Sequence, residues 1–226
     1  MGLREKIVEA SYELFASKGY EETTVSDIIK LAGSSRGGFY HHFNSKEEIL
    51  EAITDDYIEE FSERYNRIMD EHVGSSTELF NRVFTMFHEY KVGQMKDWSK
   101  LYNLFSFKGS HVIILKIARD FEDLMTKIYS KIIKDGCEKG EFTSQYPKAL
   151  AGLWTREMLQ INRLARKEYI KKETEVDEAF MLGLEFTENL INRELGLVDQ
   201  VIQIKSVVLA YIDHMKKQIA LKEMVK

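Results

Sequence analysis

The sequence predicts an all-α protein: a small N-terminal three-helix domain followed by a larger helical bundle. Three observations predict it. Apolar residues recur at i, i+3 and i+4 over long stretches, Pro147 is the single proline, and no alternating run bounded by turn residues reads as a strand. With 226 residues, 44% hydrophobic and 12% aromatic, the chain is able to bury a sizeable core.

The first helix spans about Leu3 to Lys18, with Leu3, Ile7, Ala10, Leu14 and Phe15 as its inward stripe, and Gly19 ends it. The stretch TTVSDIIKLAGSSRGGFYHHF, which closes at Phe43, reads as two short helices folded across a glycine turn. Thr24 is a good N-cap and Asp27, three residues on, completes a capping box. Val25, Ile28, Ile29 and Ala32 give one buried face, and Gly33 stops the helix by adopting a left-handed conformation at no steric cost. Ser34 or Ser35 caps a second helix that carries Arg36, Tyr40 and His41 outward, while Phe39 and Phe43 pack it on the first. That order is a helix-turn-helix, the arrangement whose second helix enters the DNA major groove.

Ser45 and Glu48 form another capping box and start a long fourth helix, from Ile49 through Tyr57 and Phe61 to Met69, closed by Gly74-Ser75-Ser76. This rod is the expected mechanical link between reader and body. An aromatic-rich helix follows with Phe80, Phe84, Phe87 and Tyr90, then a segment with Trp98, Tyr102 and Phe105. A helix from about Ser110 to Asp135 is stopped by Gly136, and the next begins at Pro147, a residue suited to a first turn. A charged connector from Arg166 to Glu175 leads to a helix from Val176 to Leu195, ended by Gly196. A last amphipathic helix covers about Val198 to Leu221.

The runs TTVSDIIKLAG and SRGGFYHHFNSKEEIL resemble the signature of the TetR family of bacterial transcriptional repressors. The likeness is close over about the first fifth of the chain and looser beyond it. It implies a DNA-binding part at residues 1–46 and a ligand-binding and dimerisation part at 47–226. In this reading Arg36 bonds a guanine, and His41 reaches a base edge or a phosphate. The matching family positions imply phosphate contacts from Tyr40 and His42. Thr24 and Lys46 clamp backbone phosphates, beside Ser35 at the helix start, and Gly37 and Gly38 let the helix approach closely. The helices of about 147–164 and 176–195 resemble the pair that dimerises in the family, and a palindromic double-stranded operator is the implied DNA partner.

The net charge of −5 is unlike that of a generally basic nucleic-acid binder. From Ala32 to Lys46, however, the charged residues are Arg36 and Lys46, with no acid among them. Cys137 is the single cysteine, so no intrachain disulfide forms, which suits a reducing cytoplasm. The N-terminal MGLREKIVEASYELF is amphipathic and charged, unlike a signal peptide. His72, His88, His111 and His214 are scattered without metal-ligand spacing, and no motif of nucleophilic or phosphate-cradling chemistry occurs. The sequence therefore predicts no metal, no cofactor, no membrane partner and no enzyme.

Phe84, Phe87, Tyr90, Trp98, Tyr102, Phe105, Phe121, Trp154 and Met158 form a bulky aromatic and methionine set, read either as core or as the wall of a pocket for a hydrophobic or aromatic effector. The expected function is a ligand-responsive repressor acting as a homodimer. Alternatives are an activator or co-regulator with the same reader and no small ligand, or a helical enzyme or structural bundle.

Overall fold

A computed structural model describes the backbone of residues 1–93, 111–170, 174–199 and 201–224; the side chains at 16, 57, 90–93, 111–117, 166, 218–219 and 221–224 lie outside that description. Among the described residues there is no strand. The α-helices are α1 (Leu3–Ser17), α2 (Val25–Leu31), α3 (Arg36–His42), α4 (Lys46–Glu71), α5 (Ser76–Gly93), α6 (His111–Glu138), α7 (Pro147–Leu164), α8 (Glu178–Leu195) and α9 (Lys205–Met224), with a π-helical segment at Ala165–Ile170. The chain divides into two compact units. The first holds Met1–Arg64 with described residues up to Phe121; the second holds Tyr65–Gly93 and Glu122–Lys226. Among the described residues, no helix is long and apolar enough to cross a membrane.

In the first unit, Ile7, Phe15, Tyr20, Ile28, Phe39, Phe43, Ile49 and Leu50 pack into one core that seats α1, α2, α3 and the start of α4 together. The α2 end is closed by chemistry local to the turn. Gly33 has φ of 63°, and Ser34 N–H donates to the Ile29 carbonyl at 3.0 Å, so the last carbonyls of α2 are satisfied.

In the second unit, Phe80, Phe84, Tyr129 and Trp154 meet ring to ring at centroid separations of 4.7–5.8 Å. Burial pushes the Tyr129 phenol above its ordinary range, because no water remains to solvate the phenolate.

Three expected boundaries move, each for a non-local reason. The sixth helix does not stop at Gly136 but continues to Glu138. A Cβ at Gly136 would collide with the Phe142 ring, so this glycine serves close packing, and Gly140, with φ of 74°, makes the turn. The connector expected at Arg166–Glu175 is partly helical: α7 continues as the π-helical segment, which buries Ala165, Tyr169 and Ile170. The last helix starts at Lys205 rather than Val198, because the preceding strap is held extended by side chains. Asn192 accepts from Ile202 N–H at 2.6 Å and donates to its carbonyl at 3.1 Å; Asn81 does the same for Gln203 N–H and the Val201 carbonyl, both at 2.8 Å. Glu188 accepts from the amides of Ile204 and Lys205 at 2.7 and 2.9 Å, which caps α9 with a carboxylate.

Candidate nucleic-acid interface

The site is assembled from three short devices. Thr24 caps α2: its hydroxyl accepts from Asp27 N–H at 3.1 Å and donates to Asp27 Oδ2 at 2.8 Å. The same Oδ2 takes Thr24 N–H at 2.9 Å and Lys18 Nζ at 2.7 Å. Lys18 above all, and then Thr24, hold the Asp27 carboxyl well below the usual carboxylate range. Ser35 caps α3 by accepting from Gly38 N–H at 3.0 Å. Asn44 donates to Glu48 through its backbone at 2.8 Å, closing the entry to α4.

Arg36 and Tyr40, four apart, share one exposed face of α3, with Gly37 and His41 beside them. Among the described residues nothing pairs with the Arg36 guanidinium, so its planar fork of donors stays available for a bidentate acceptor such as a guanine edge. Tyr40 is 46% exposed and rests edge-on against the buried Phe39 ring at 5.3 Å. His42 is half-buried and stacks edge-on with His41 at 4.9 Å. The expected DNA-binding residues on α3 thus lie together.

The two glycines differ. Nothing lies within 4 Å of a Cβ built on Gly37, whereas at Gly38 it would meet Leu3 Cδ2 at 3.0 Å and the hydroxyls of Ser34 and Ser35 at 3.1 and 3.2 Å. Gly38 therefore seats α3 against α1 and the capping turn, and Gly37 is the one that leaves the outward surface flat.

Lys46 is tied inward. Its ammonium donates to the carbonyls of Tyr20 and Thr23, both at 2.8 Å, and sits 4.4 Å from the Tyr20 ring centroid. Tyr20 in turn donates its hydroxyl to Glu47 at 2.7 Å and is 2% exposed. Its hydrogen bond is the main cause holding the Glu47 carboxyl below its ordinary range. Tyr20, Lys18, Asp27 and Glu47 were not among the expected site residues. The lone tyrosine between two glutamate-rich stretches carries no local signal of a partner 27 residues away.

The described residues among those expected to wall an effector pocket fall in both units. Phe84, Phe87, Trp154 and Met158 are buried in the core of the second unit. Met158 Sδ accepts from the Tyr129 hydroxyl at 3.7 Å. Phe121 belongs to the first unit, edge-on to Phe61 at 5.6 Å. Trp98, Tyr102 and Phe105, and the side chain of Tyr90, lie outside the described residues. Among the described residues no group of three or more His, Cys, Asp or Glu is placed to hold a metal.

Residues 7–53 match the family of bacterial regulatory proteins, tetR family. The chain is 37% identical over 67 residues to the HTH-type transcriptional repressor KstR2 of Mycolicibacterium smegmatis, a match over 30% of this chain and 33% of that protein. It is 24% identical over 159 residues to KstR2 of Rhodococcus jostii, covering 69% of this chain and 76% of the relative. A crystal structure of a protein assigned to the TetR family, from Syntrophomonas wolfei, superposes over 84% of this chain and 94% of its own, with a TM-score of 0.64 and 27% identity. Residues 7–53 therefore carry a reader domain that matches the tetR family, and the helical body that continues it has the fold of a solved TetR-family regulator.

Proposed function

We propose that the protein is a homodimeric, ligand-responsive transcriptional repressor, with residues 1–46 reading a palindromic operator and 47–226 dimerising and sensing a small hydrophobic or aromatic molecule. The observation that carries the DNA reading is the exposed Arg36, without a partner among the described residues, on the outward face of a rigidly capped α3, flanked by Tyr40 and His41. The repressor sign is supported by relatives named as repressors.

Dimerisation is supported by a stripe of uncovered apolar side chains. Leu182, Phe186 and Leu190 follow one another at four-residue steps on α8 and are 59%, 68% and 40% exposed; Leu153 on α7 is 61% exposed. Bare leucines and phenylalanine in such a row fit a self-complementary face, which a two-fold axis would bury twice. A dimer also supplies the two readers that half-sites one helical turn apart require.

In the proposed mechanism α4, which begins beside the reader and continues into the second unit, transmits a population shift. The effector must bind the DNA-incompetent arrangement more tightly than the competent one. Arg36→Ala is the test: on randomised duplexes it should cost about 1–3 kcal/mol at one base position in each half-site and relax preference there. Uniform weakening across all sequences would assign Arg36 to the phosphates and refute the readout.

A further inference from the structure

A cavity of about 540 Å³ opens between α5 and α9, lined by His88, Glu89, Val207, Ala210, Tyr211 and His214 among others. Its volume falls within the range of small-molecule sites. The floor is built. His88 is 3% exposed and Tyr211 4% exposed, and their rings meet edge-on at 5.2 Å. The His88 ring is also held edge-on against Phe84 at 4.5 Å and Phe87 at 5.2 Å, and its Nδ1 lies 2.8 Å from the Phe84 carbonyl oxygen. Val207 and Ala210 give an apolar side wall, and the Glu89 carboxylate stands at the rim.

We propose that this cavity is an effector site, and that it takes an amphipathic molecule with an apolar body and a neutral or cationic hydrogen-bond donor, such as an amine or alcohol, and rejects carboxylates. This deepens the ligand-responsive reading and rests on it for its regulatory meaning. The chemistry of the lining sets the class. Among the described lining residues the one fixed formal charge is the negative Glu89, whose carboxylate accepts hydrogen bonds next to aromatic faces. An anionic head would meet a like charge with no lysine or arginine among those residues to offset it. The position also gives the ligand a route to the core, because the His88 ring packs edge-on against Phe84, a member of the aromatic cluster.

The experiment uses the full chain and three probes with one skeleton: 4-phenylbutylamine, 4-phenylbutan-1-ol and 4-phenylbutyrate, titrated by calorimetry. The amine and the alcohol should bind, and the carboxylate at least about tenfold more weakly. Ala210→Trp, which fills the cavity from a solvent-facing position, should reduce amine binding by at least about tenfold at an unchanged melting profile. Glu89→Gln should narrow the gap between amine and carboxylate. Equal binding of the carboxylate, undiminished binding to the Ala210→Trp protein, or no binding of any probe up to about 10 mM would overturn the assignment. Amine binding that leaves operator affinity unchanged upholds the site and counts against the ligand-responsive reading, which keeps the two failures apart.

Discussion

Lys46 reaches back across the first unit to Tyr20, with its ammonium 2.8 Å from the Tyr20 carbonyl oxygen and 4.4 Å from the ring centroid. Two of its three N–H donors are occupied, the second by Thr23. A hydrogen bond to a charged group contributes about 1.5–3 kcal/mol, less where water competes. Lys46→Ala should therefore destabilise the reader domain by about 2 kcal/mol as well as weaken binding to every DNA sequence alike. Urea unfolding and anisotropy titrations at two salt concentrations check both halves. A loss of affinity with no loss of stability would mean that the inward bonds contribute nothing.

Acid should loosen the same domain. The carboxyls of Asp27, Glu47 and Glu48 are all held low, by Lys18, Tyr20 and Asn44 respectively as the leading causes. A carboxylate depressed in the folded state adds stability that is complete above its unfolded pKa, about 4, and is lost as pH falls through the folded value. Stability should be level from about pH 7 to 5 and decline below about 4. Asp27→Asn with Glu47→Gln should lower the neutral plateau and flatten the acid decline. Denaturation midpoints at a series of pH values measure this; a double variant with an unaltered acid limb would contradict it.

The two adjacent glycines of α3 should respond differently to alanine. Gly37→Ala adds a methyl in open space and gains helix propensity, up to about 1 kcal/mol. Gly38→Ala gains the same propensity but presses on Leu3 and the two capping serines. The first variant should unfold later than the second by about 1 kcal/mol. It should also bind operator less well, since its methyl faces outward. Thermal melts and gel shifts of the pair decide this, and a more stable Gly38→Ala would show that Leu3 yields freely.

Phe186, 68% exposed on α8, is the sharpest test of the proposed dimer. Burying one phenylalanine contributes about 2 kcal/mol, and a two-fold axis counts it twice, about 4 kcal/mol. Phe186→Asp should raise the dimer dissociation constant about a thousandfold or more and abolish operator binding at submicromolar protein, leaving helicity intact. Sedimentation velocity reads the mass directly. A dimer that persists unchanged would move the interface elsewhere.

What could be read from the sequence was what short chain separations encode. Thr24 with Asp27, and Gly33 at its turn, act within three to five residues and sit where the spacing placed them; of the two serines the spacing offered, Ser35 is the cap, through Gly38 N–H. Long separations carried no such mark. Lys46 looked like an outward cation because its carbonyl partners lie 23 and 26 residues earlier. Gly136 looked like a stop because nothing near it announces that Phe142 will lie over it. Periodicity correctly gave α8 an apolar face, but a helical period does not say whether that face meets its own chain or is left bare, as Phe186 is. His88 was one histidine among several until folding stacked Phe84, Phe87 and Tyr211 around it.

The extended strap ahead of α9 sets a limit on how the protein can be shortened. Ile202 and Ile204 are wholly enclosed, and three side chains on α5 and α8 are committed to the strap's backbone. An expression clone ending at Gly196 would strip away that lid and leave Asn81, Glu188 and Asn192 facing a greasy, unroofed trough. Such a product is expected in the insoluble fraction.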